Sequence, residues 1–304
     1  MNAPRKPPRR RLDGVLLLDK ALGESSNRAL QAARRLYDAE KAGHTGTLDP
    51  LATGLLPLCF GEATKFSSDL LNADKRYVAV VQLGVTTDTA DTEGKVLRRR
   101  PVEVDRRAVE KALAAHTGEI DQIPPMYSAL KRDGKPLYEY ARAGIELERA
   151  ARRASIHRLD LLDASDLAGG RFVVEVLCSK GTYVRTLAAD IGEFLGCGAH
   201  LAGLRRTGIG VLDVAAAHSL AQLEALAAEV RDALLLPPDS LVANLAEARL
   251  DAADAVRLRH GQSVRWSGEA GARLRAYDHE DRFIGVCRQT VDGWLQPQRL
   301  VAGS

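Results

Sequence analysis

The chain has 304 residues, of which 45% are hydrophobic and 27% are charged, and this balance excludes disordered and fibrous proteins and provides for at least one sizeable core. Its formal net charge of +3 at pH 7 is too small to indicate a nucleic-acid partner by itself. Four cysteines without a CxxC pair exclude a disulfide scaffold and a zinc ribbon, and they are typical of a reduced, cytoplasmic protein.

The N-terminal segment, residues 1–12, is rich in proline and basic residues and contains no acid. We predict a disordered tail here, because charge blocks of one sign are commonly solvated extensions; an RNA-gripping arm is the alternative. The basic residues of this tail are Arg5, Lys6, Arg9, Arg10 and Arg11. The apolar stretches that follow, such as 15–18 and 55–60, are far shorter than the ~18 residues of a membrane span, so we expect neither a span nor a secretory signal.

The first regular elements are a strand and a helix. Residues 14–19 form an apolar run typical of a buried strand, and Ser25 or Ser26 offers an N-cap for the amphipathic helix that follows. Glycines and prolines over 43–61 predict a shaped loop that ends in a strand. Tyrosine and valine predict a strand over 75–83, and we expect residues 94–99 to be its hairpin partner across a turn at 86–93.

A long irregular excursion follows the next helix. Asp105 caps a helix that we predict to end near His116. Residues 123–153 then combine prolines, glycines and many charges, with only a short helix indicated near 137–142. Excursions of this length within a compact domain are usually functional or mobile.

The rest of the chain predicts a mixed domain followed by a small module. We expect strands at 154–162, 172–179 and 201–206 and helices at 188–195 and 219–235. Pro237 and Pro238 end the last helix, and the acidic connector after them marks a domain boundary. A short helix near 252–258 and four short strands then form a β-rich module. The fold class is α+β, with a domain of catalytic size over 13–240 and the small module over 247–304. Neighbouring hairpins argue against a doubly wound sheet.

The usual cofactor and metal motifs are missing from the sequence. It has no GxGxxG, no Walker order of glycine and lysine, no EF-hand spacing and no HExxH. The glycine-rich loop 43–54 is the remaining candidate for a chemical site, and Asp49 is the one acid between Lys41 and Gly61. An Asp-Pro pair often only starts a turn, but a carboxylate that an arginine keeps ionised can also act as a nucleophile or base.

The loop and its surroundings are recognisable as a family pattern. GHTGTLDPLATGLLPLCFGEATK, residues 43–65, closely resembles the signature of the TruB family, the bacterial tRNA pseudouridine-55 synthases. Four further blocks follow in family order, and they are KRY with TTDT, PPMYSALK, CSKGTYVRTL, and GAHL with LRR. The resemblance implies a pseudouridine-synthase fold with a central mixed, largely antiparallel sheet flanked by helices, plus a PUA-like C-terminal domain.

The family reaction isomerises a uridine in RNA by breaking the N-glycosidic bond, turning the base and rejoining it through carbon. The resemblance implies that no cofactor is required and that Asp49 is the essential carboxylate, attacking C1′ or acting through a glycal. Arg185 is its implied partner, and an adjacent guanidinium lowers an Asp pKa. Arg185 lies in the first turn of a helix if Thr182 is the cap. Tyr77 matches the tyrosine that stacks on the target base and is proposed as a proton acceptor.

The resemblance also implies substrate-binding residues. Tyr183 and Leu204 match positions that line the uracil pocket, where a flipped base lies between an aromatic and an aliphatic side chain. His44 matches a histidine that stacks or fills the gap when nucleotides leave the RNA helix, and Lys20 and Lys65 are expected to support the loop or bind phosphates. By residue type alone, each of these side chains is ordinary packing, capping or solvated surface.

The implied substrate is the T-arm stem-loop of tRNA, read mainly by shape and phosphate contacts. Basic candidates for those contacts are Arg132, Lys135, Arg142, Arg152, Arg153, Arg205 and Arg206. We expect the 123–153 excursion to grip RNA and to order on binding. A guide-RNA-dependent synthase and an RNA-folding chaperone are the alternatives. We expect a monomer with no membrane association and no obligatory protein partner.

Overall fold

The structure is a computed structural model that describes residues 8–128 and 130–302. The elements of its larger part are, in chain order, β1 Gly14–Lys20, α1 Ser26–Leu36, β2 Ala42–His44, β3 Ala52–Phe60, α2 Ser67–Leu71, β4 Lys75–Leu83, β5 Val85–Thr87, β6 Val96–Arg99, α3 Arg106–Ala115, β7 Gly118–Gln122, β8 Lys131–Arg132, β9 Lys135–Pro136, α4 Leu137–Arg142, β10 Arg152–Leu161, β11 Arg171–Cys178, α5 Val184–Phe194, β12 Ala199–Ile209, β13 Leu212–Asp213, α6 Leu220–Glu224 and α7 Ala228–Asp232. The smaller part contains β14 Ala246–Arg249, α8 Ala252–Arg259, β15 Val264–Arg265, β16 Arg273–Tyr277, β17 Phe283–Gln289 and β18 Trp294–Leu300. Single 3-10 turns lie at Gly61–Phe66, Val214–Ala216 and Pro238–Val242. No helix within these described ranges is long and apolar enough to cross a bilayer.

The larger part is built on one nine-stranded sheet. Its main path runs β1-β3-β12-β4-β11-β10-β7, with β2 added on β3 and β13 on β12. The pairing of β3 with β12 is parallel, and the other pairings of this sheet are antiparallel. The predicted α+β fold with a mixed, largely antiparallel sheet is therefore confirmed.

Alternating side chains let the first strands carry two different cores. Leu16 and Leu18 of β1 pack with α1 in one cluster, whereas Val15 and Leu17 pack on the other face with the 3-10 turn at Pro238–Val242 and with β17. This period of two is the expected result of strand geometry. Helices α3 and α5 cover the middle of the sheet over a third cluster built around β4 and β11.

The C-terminal part forms its own five-stranded sheet in the order β14-β16-β17-β18-β15. It packs against the turn Gly61–Phe66 and the helix α2 through an edge-on contact of Phe66 with Phe283, whose ring centroids lie 5.3 Å apart. Arg273 also pairs with Asp69 across this junction at 2.5 Å. The two parts therefore share an apolar and ionic contact surface.

Caps and short helices follow the local sequence signals closely. Ser25 caps α1 by accepting the Arg28 N–H, and Asp105 caps α3 by accepting that of Ala108. The predicted short helix at 137–142 is also confirmed. These signals lie within a few residues of the elements that they start, so tertiary structure does not override them.

Three other local predictions are wrong. Residues 94–99 do not pair with β4, because β11 and β12 occupy both edges of that strand, and the hairpin joins β5 to β6 instead. The single helix predicted over 219–235 is split into α6 and α7. Helix α5 begins at Val184 with Tyr183 as its N-cap residue, which makes no side-chain cap bond, and the Thr182 hydroxyl donates to the Ser179 carbonyl instead.

The basic tail is ordered at its end. The Arg10 N–H donates to the Asp38 carbonyl at 2.8 Å, the Glu40 N–H donates to the Arg10 carbonyl at 2.9 Å, and the Arg10 guanidinium pairs with Asp232. The predicted disorder is therefore wrong for Arg10, and Arg5 and Lys6 lie outside the described residues.

Candidate active site

The glycine-rich loop is closed at its base and pinned in the middle. Strands β2 and β3 pair directly, with Gly43 opposite Cys59, so the residues between them form a loop whose ends meet. The buried Ser26 hydroxyl accepts the Leu48 N–H at 2.8 Å and donates to the Leu48 carbonyl at 3.0 Å. Leu48 is itself buried, and the adjacent Asp49 is thereby held at the surface of a cavity.

Asp49 forms an ion pair with a buried arginine. Its Oδ2 lies 3.0 Å from Nε of Arg185, whose side chain is 6% exposed against 42% for Asp49. Arg185 occupies the first turn of α5, although the N-cap residue is Tyr183 rather than Thr182 and the helix begins before the predicted range 188–195. Its remaining N–H groups donate to the Thr89 carbonyl at 3.2 Å, the Tyr127 carbonyl at 2.8 Å and Asp91 at 3.3 Å. A guanidinium held from four directions fixes the orientation of the carboxylate that it binds.

Burial and the ion pair act on the Asp49 carboxyl in opposite directions. Burial raises its pKa, Arg185 lowers it, the Asp91 charge raises it and Lys20 lowers it, and the resulting pKa is above the ordinary value. The expected lowering by Arg185 is thus present as a contribution but is wrong as the overall direction. A carboxylate with a raised pKa is a stronger base and nucleophile than a free one.

Arg185 also binds a second carboxylate, that of Asp91, which was not predicted from the sequence. Asp91 is 2% exposed, and its carboxylate accepts the Thr89 hydroxyl at 2.5 Å and the Glu93 N–H at 3.0 Å. In the sequence it is one acid among several in a turn. Its burial arises where the β5–β6 connection packs over β12, since Asp91 forms a bridge with Leu201. Thr87 and Thr89 precede Asp91, and their hydroxyls donate to the Asp91 carbonyl and carboxylate, so these threonines were the available signal.

Three other predicted residues line the same cavity as Asp49 and Arg185. This cavity, of about 640 Å³, has Tyr77, Tyr183 and Leu204 in its wall. Tyr77 and Leu204 lie on the neighbouring strands β4 and β12. The backbone of Tyr183 is held by Gln122, whose side chain accepts the Tyr183 N–H at 3.0 Å and donates to its carbonyl at 3.3 Å. A carboxylate, two aromatic rings and an aliphatic side chain around one space suit a planar base.

Three family models together match the chain from residue 34 to residue 301. "TruB family pseudouridylate synthase (N terminal domain)" matches residues 34–184, "tRNA pseudouridylate synthase B C-terminal domain" matches 185–243, and "Pseudouridine synthase II TruB, C-terminal" matches 246–301. The chain belongs to the TruB family.

Curated TruB relatives are similar over nearly their full length. The tRNA pseudouridine synthase B of Cupriavidus metallidurans is 56% identical, with 98% of this chain and 97% of the relative covered. Those of Azoarcus sp. and Burkholderia mallei are 57% and 58% identical, and each alignment covers at least 96% of this chain and 98% of the relative.

Solved structures share the TruB fold. A chain in the crystal structure of a Cbf5-Nop10-Gar1 complex superposes with a TM-score of 0.71 at 25% identity, over 91% of this chain and 78% of that chain. A chain in an H/ACA RNP bound to a substrate RNA containing 2'-deoxyuridine gives a TM-score of 0.72 at 21% identity, over 94% and 84% of the two chains. At that identity the second likeness concerns the fold alone.

Two residues that the TruB resemblance assigned to substrate lie beside the cavity rather than in its wall. Lys20 is 1% exposed, and its ammonium donates to the carbonyls of Ala21 at 2.9 Å and Glu24 at 2.7 Å. His44 is half-buried in β2, and its Nδ1 has no hydrogen-bond partner among the described residues. Lys20 therefore supports the loop after β1, and its charge lowers the pKa of Asp49.

Lys65 has its described contacts with Glu62 and with the C-terminal domain. Its ammonium pairs with Glu62 at 2.6 Å and donates to the Leu300 carbonyl at 3.0 Å. Arg299 of the C-terminal domain donates to the carbonyl of Lys65 in return. Lys65 thus joins the two domains of this TruB protein, and its expected role in binding phosphate or supporting the catalytic loop stays a prediction.

The predicted basic residues have different environments. Arg206 is 1% exposed and belongs to the interior, so its expected contact with RNA phosphate is wrong. Arg205 pairs with Asp19 at 2.7 Å, and Arg153 pairs with Glu119 at 3.3 Å. Arg132 donates to the Glu148 carbonyl at 2.8 Å, and Arg142 lies over the Tyr138 ring at 5.3 Å.

Proposed function

We propose that this protein isomerises uridine 55 in the T-loop of tRNA to pseudouridine. The observation that carries the proposal is the Asp49–Arg185 pair at 3.0 Å in the wall of a cavity that also holds Tyr77, Tyr183 and Leu204. Identity of 56–58% to proteins named tRNA pseudouridine synthase B over nearly the whole chain supports the same substrate class.

The chemistry needs no atom to be gained or lost. The C1′–N1 bond breaks with its electron pair on the base, the base turns, and C5 bonds to C1′; C5 then loses its proton and N1 gains one. In one route Asp49 attacks C1′ as the base leaves, and C5 then displaces the carboxylate from C1′. In the other route Asp49 removes the C2′ proton as the base leaves and returns it when C5 bonds to C1′. Tyr77, stacked on the base, accepts the C5 proton, while Tyr183 and Leu204 hold the extruded ring.

The experiment is a reaction with an unmodified tRNA transcript. Purified protein without added cofactor or partner is incubated with the transcript, and pseudouridine is mapped chemically, with Asp49→Ala and the surface variant Asp121→Asn in parallel. We expect product at the T-loop uridine alone for the wild type and Asp121→Asn, and none for Asp49→Ala at unchanged tRNA affinity. Binding without product on a folded transcript would overturn the stand-alone enzyme.

Two other functions remain to be separated by experiment. A guide-RNA-dependent enzyme would leave the bare transcript unmodified, and the same assay tests this. An RNA-folding chaperone would act without isomerisation, so rescue of a deletion strain by Asp49→Asn would favour it. We further propose that the protein acts in the cytoplasm as a monomer and needs no protein partner. Light scattering of the protein with and without tRNA tests the oligomeric state.

We assign the 123–153 excursion to RNA gripping. It contributes Ser128 and Leu130 to the catalytic cavity, and the Tyr127 carbonyl contacts Arg185. Much of the rest is exposed and charged, so an RNA chain beside the cavity meets cations on this segment. Limited proteolysis should show cleavage within 123–153 that saturating tRNA suppresses; unchanged cleavage would contradict gripping. The C-terminal domain is expected to add RNA contacts, which a tRNA footprint would locate.

A further inference from the structure

Arg206 is a buried arginine at the point where the catalytic loop meets the central sheet. It lies on β12 directly opposite Tyr77 of β4 and beside Gly54 of β3. Its Nε donates to the Leu55 carbonyl at 2.8 Å and its Nη2 donates to the Gly46 carbonyl at 3.3 Å. One guanidinium thus joins the first part of the loop that carries Asp49 to strand β3, which follows the loop.

The charge of Arg206 is not neutralised by an acid. Among the described residues, no carboxylate oxygen lies within 4.0 Å of its guanidinium. Its neighbours in the site differ, because Arg185 pairs with two carboxylates and Arg205 pairs with Asp19. A buried cation without a counter-ion costs several kcal/mol, so its presence in an active-site wall calls for an anionic partner.

Neighbouring groups respond to this charge. Burial, together with the Arg206 charge, lowers the pKa of Lys20, of His44 and of Lys75. For Lys75 the pKa falls to about 8. These three groups lie on β1, β2 and β4, and burial is the largest cause of the lowered pKa in each of them.

Lys75 adds a second cation to the same cavity wall. It is 8% exposed, and its ammonium donates to the carbonyls of Leu71 and Ala73 at 2.6 Å each. An ammonium has three N–H groups, so one remains beyond those two bonds. Lys75 and Arg206 both line the cavity that contains Asp49, and no carboxylate among the described residues lies within 4.0 Å of either.

We propose that Arg206, assisted by Lys75, is a positioning residue that fixes the Tyr77 hydroxyl and stabilises the negative charge on the detached base. The proposal rests on the proposed function. When the C1′–N1 bond breaks, its electron pair stays on the base, which is an anion until C5 bonds to C1′. Fixed positive charge at the place where negative charge develops is the most effective electrostatic arrangement for catalysis.

The charge of Arg206 also acts on the Tyr77 hydroxyl. Burial raises the pKa of Tyr77, and the adjacent Arg206 guanidinium lowers it, with a net rise above the ordinary value. The ionisable groups that act on Tyr77 or on Arg206 from the surrounding elements are Lys20, His44, Asp49, Lys75 and Cys178. Without Arg206 the pKa of Tyr77 would rise further, so a smaller fraction of Tyr77 would be the phenolate that can accept a proton at neutral pH.

Substitution of Arg206 separates charge from hydrogen bonding. Arg206→Lys keeps the charge and Arg206→Gln keeps a donor without the charge, with the exposed Arg107→Gln as the matched control. We expect single-turnover rates about 10-fold lower for Lys and at least about 100-fold lower for Gln, at tRNA affinities within about threefold of wild type. The pH midpoint of Tyr77 ionisation is obtained by subtracting, for each Arg206 variant, the titration of the same variant that also carries Tyr77→Phe. This midpoint should rise in Arg206→Gln and stay unchanged in Arg206→Lys. Equal rates and midpoints in Gln and wild type would overturn the proposal.

A measurement on the wild-type protein covers the case in which Arg206→Gln does not fold. The acidic free base 5-nitrouracil, an anion at neutral pH, should bind at least about 10-fold more tightly than neutral thymine, and the preference should vanish at a pH where nitrouracil is neutral. Equal binding of the two bases would contradict the inference. Neither base binding nor tyrosine titration requires turnover, so failure of the transcript assay would remove the proposed function without deciding these results.

Discussion

The carboxylates of Asp49 and Asp91 are held by the same guanidinium. Arg185 Nε lies 3.0 Å from Asp49 and its Nη1 lies 3.3 Å from Asp91. Asp91 is the more deeply buried of the two, with a side chain 3% exposed against 42%. Asp91 therefore fixes the Arg185 guanidinium from its buried side, and Arg185 in turn holds the Asp49 carboxylate in the cavity wall.

Removing the charge of Asp91 should disturb Asp49 at a distance. Asp91→Asn keeps the size of the side chain but weakens its hold on Arg185, so we expect kcat lower by about 10- to 100-fold, because small displacements of reacting groups cost that much. Single-turnover kinetics with tRNA measures the effect. Asp121→Asn, an exposed acid on β7, is the control. A wild-type kcat in a folded Asp91→Asn protein would show that Arg185 holds Asp49 correctly without the Asp91 charge.

A side chain at Gly54 should separate two strands. Gly54 has φ +96°, and a Cβ there would lie 2.3 Å from the Arg206 carbonyl. Gly54→Ala should therefore push β3 from β12 and lower the free energy of unfolding by about 1–3 kcal/mol. Gly43→Ala is the matched control, since no atom lies within 4 Å of its added Cβ. Thermal unfolding compares them, and equal melting temperatures would refute the steric argument.

Lys65 should matter for domain cohesion rather than for RNA. Lys65→Met loses the Glu62 pair and the bond to the Leu300 carbonyl, so the C-terminal domain should become less stable by about 1 kcal/mol. Both tryptophans, Trp266 and Trp294, lie in that domain, and their fluorescence in a urea titration reports its unfolding.

The control for this variant is Lys111→Met on the exposed face of α3. Affinity for tRNA should stay within about twofold of wild type in both variants. Unchanged fluorescence transitions combined with strongly weakened tRNA binding would instead support the contact with substrate that the family resemblance implies for Lys65.

Stability of the C-terminal domain should fall in acid because of Asp278. Burial raises the pKa of this carboxyl, but bonds from the Arg259 guanidinium and from the backbone and side chain of Arg282 outweigh it, so the pKa lies well below its usual range. The stabilisation is complete above the unfolded pKa of about 3.9 and is lost as pH falls through the folded pKa.

Asp278→Asn provides the test of that acid dependence. Its loss of stability relative to wild type should be largest at pH 7, roughly 1–3 kcal/mol, and should shrink towards pH 3, as followed by tryptophan fluorescence. The exposed Glu269→Gln should show no such trend. A difference that stays constant with pH would mean that the Asp278 charge does not stabilise the fold.

The sequence predicted features with local causes and failed where distant strands compete. Ser25 and Asp105 cap the N-termini of their helices by hydrogen bonds to backbone groups three residues away. Strand β4 was correctly bounded but wrongly paired, because its partners β11 and β12 lie about 100 residues away along the chain. Long-range pairing leaves little trace in local composition.

The candidate site shows the same division. Asp49 and Arg185 were predicted as a pair through the family resemblance, and they are in contact. The roles of Asp91 and Arg206 depend on burial, which follows from packing of distant segments and not from the residue type. Arg206 is next to Arg205 in the sequence, and Arg205 is more exposed and pairs with Asp19. The residue type alone does not show which of the two arginines is buried.

The direct pairing of β2 with β3 has an energetic consequence for the reaction. Because the loop between these strands is closed by backbone bonds and held at Leu48 by Ser26, the entropy of placing Asp49 is lost during folding rather than during RNA capture. The binding energy of an arriving tRNA is then available to unstack a nucleotide, which costs a few kcal/mol. A prearranged carboxylate in the free protein thus leaves the RNA as the partner that must change shape.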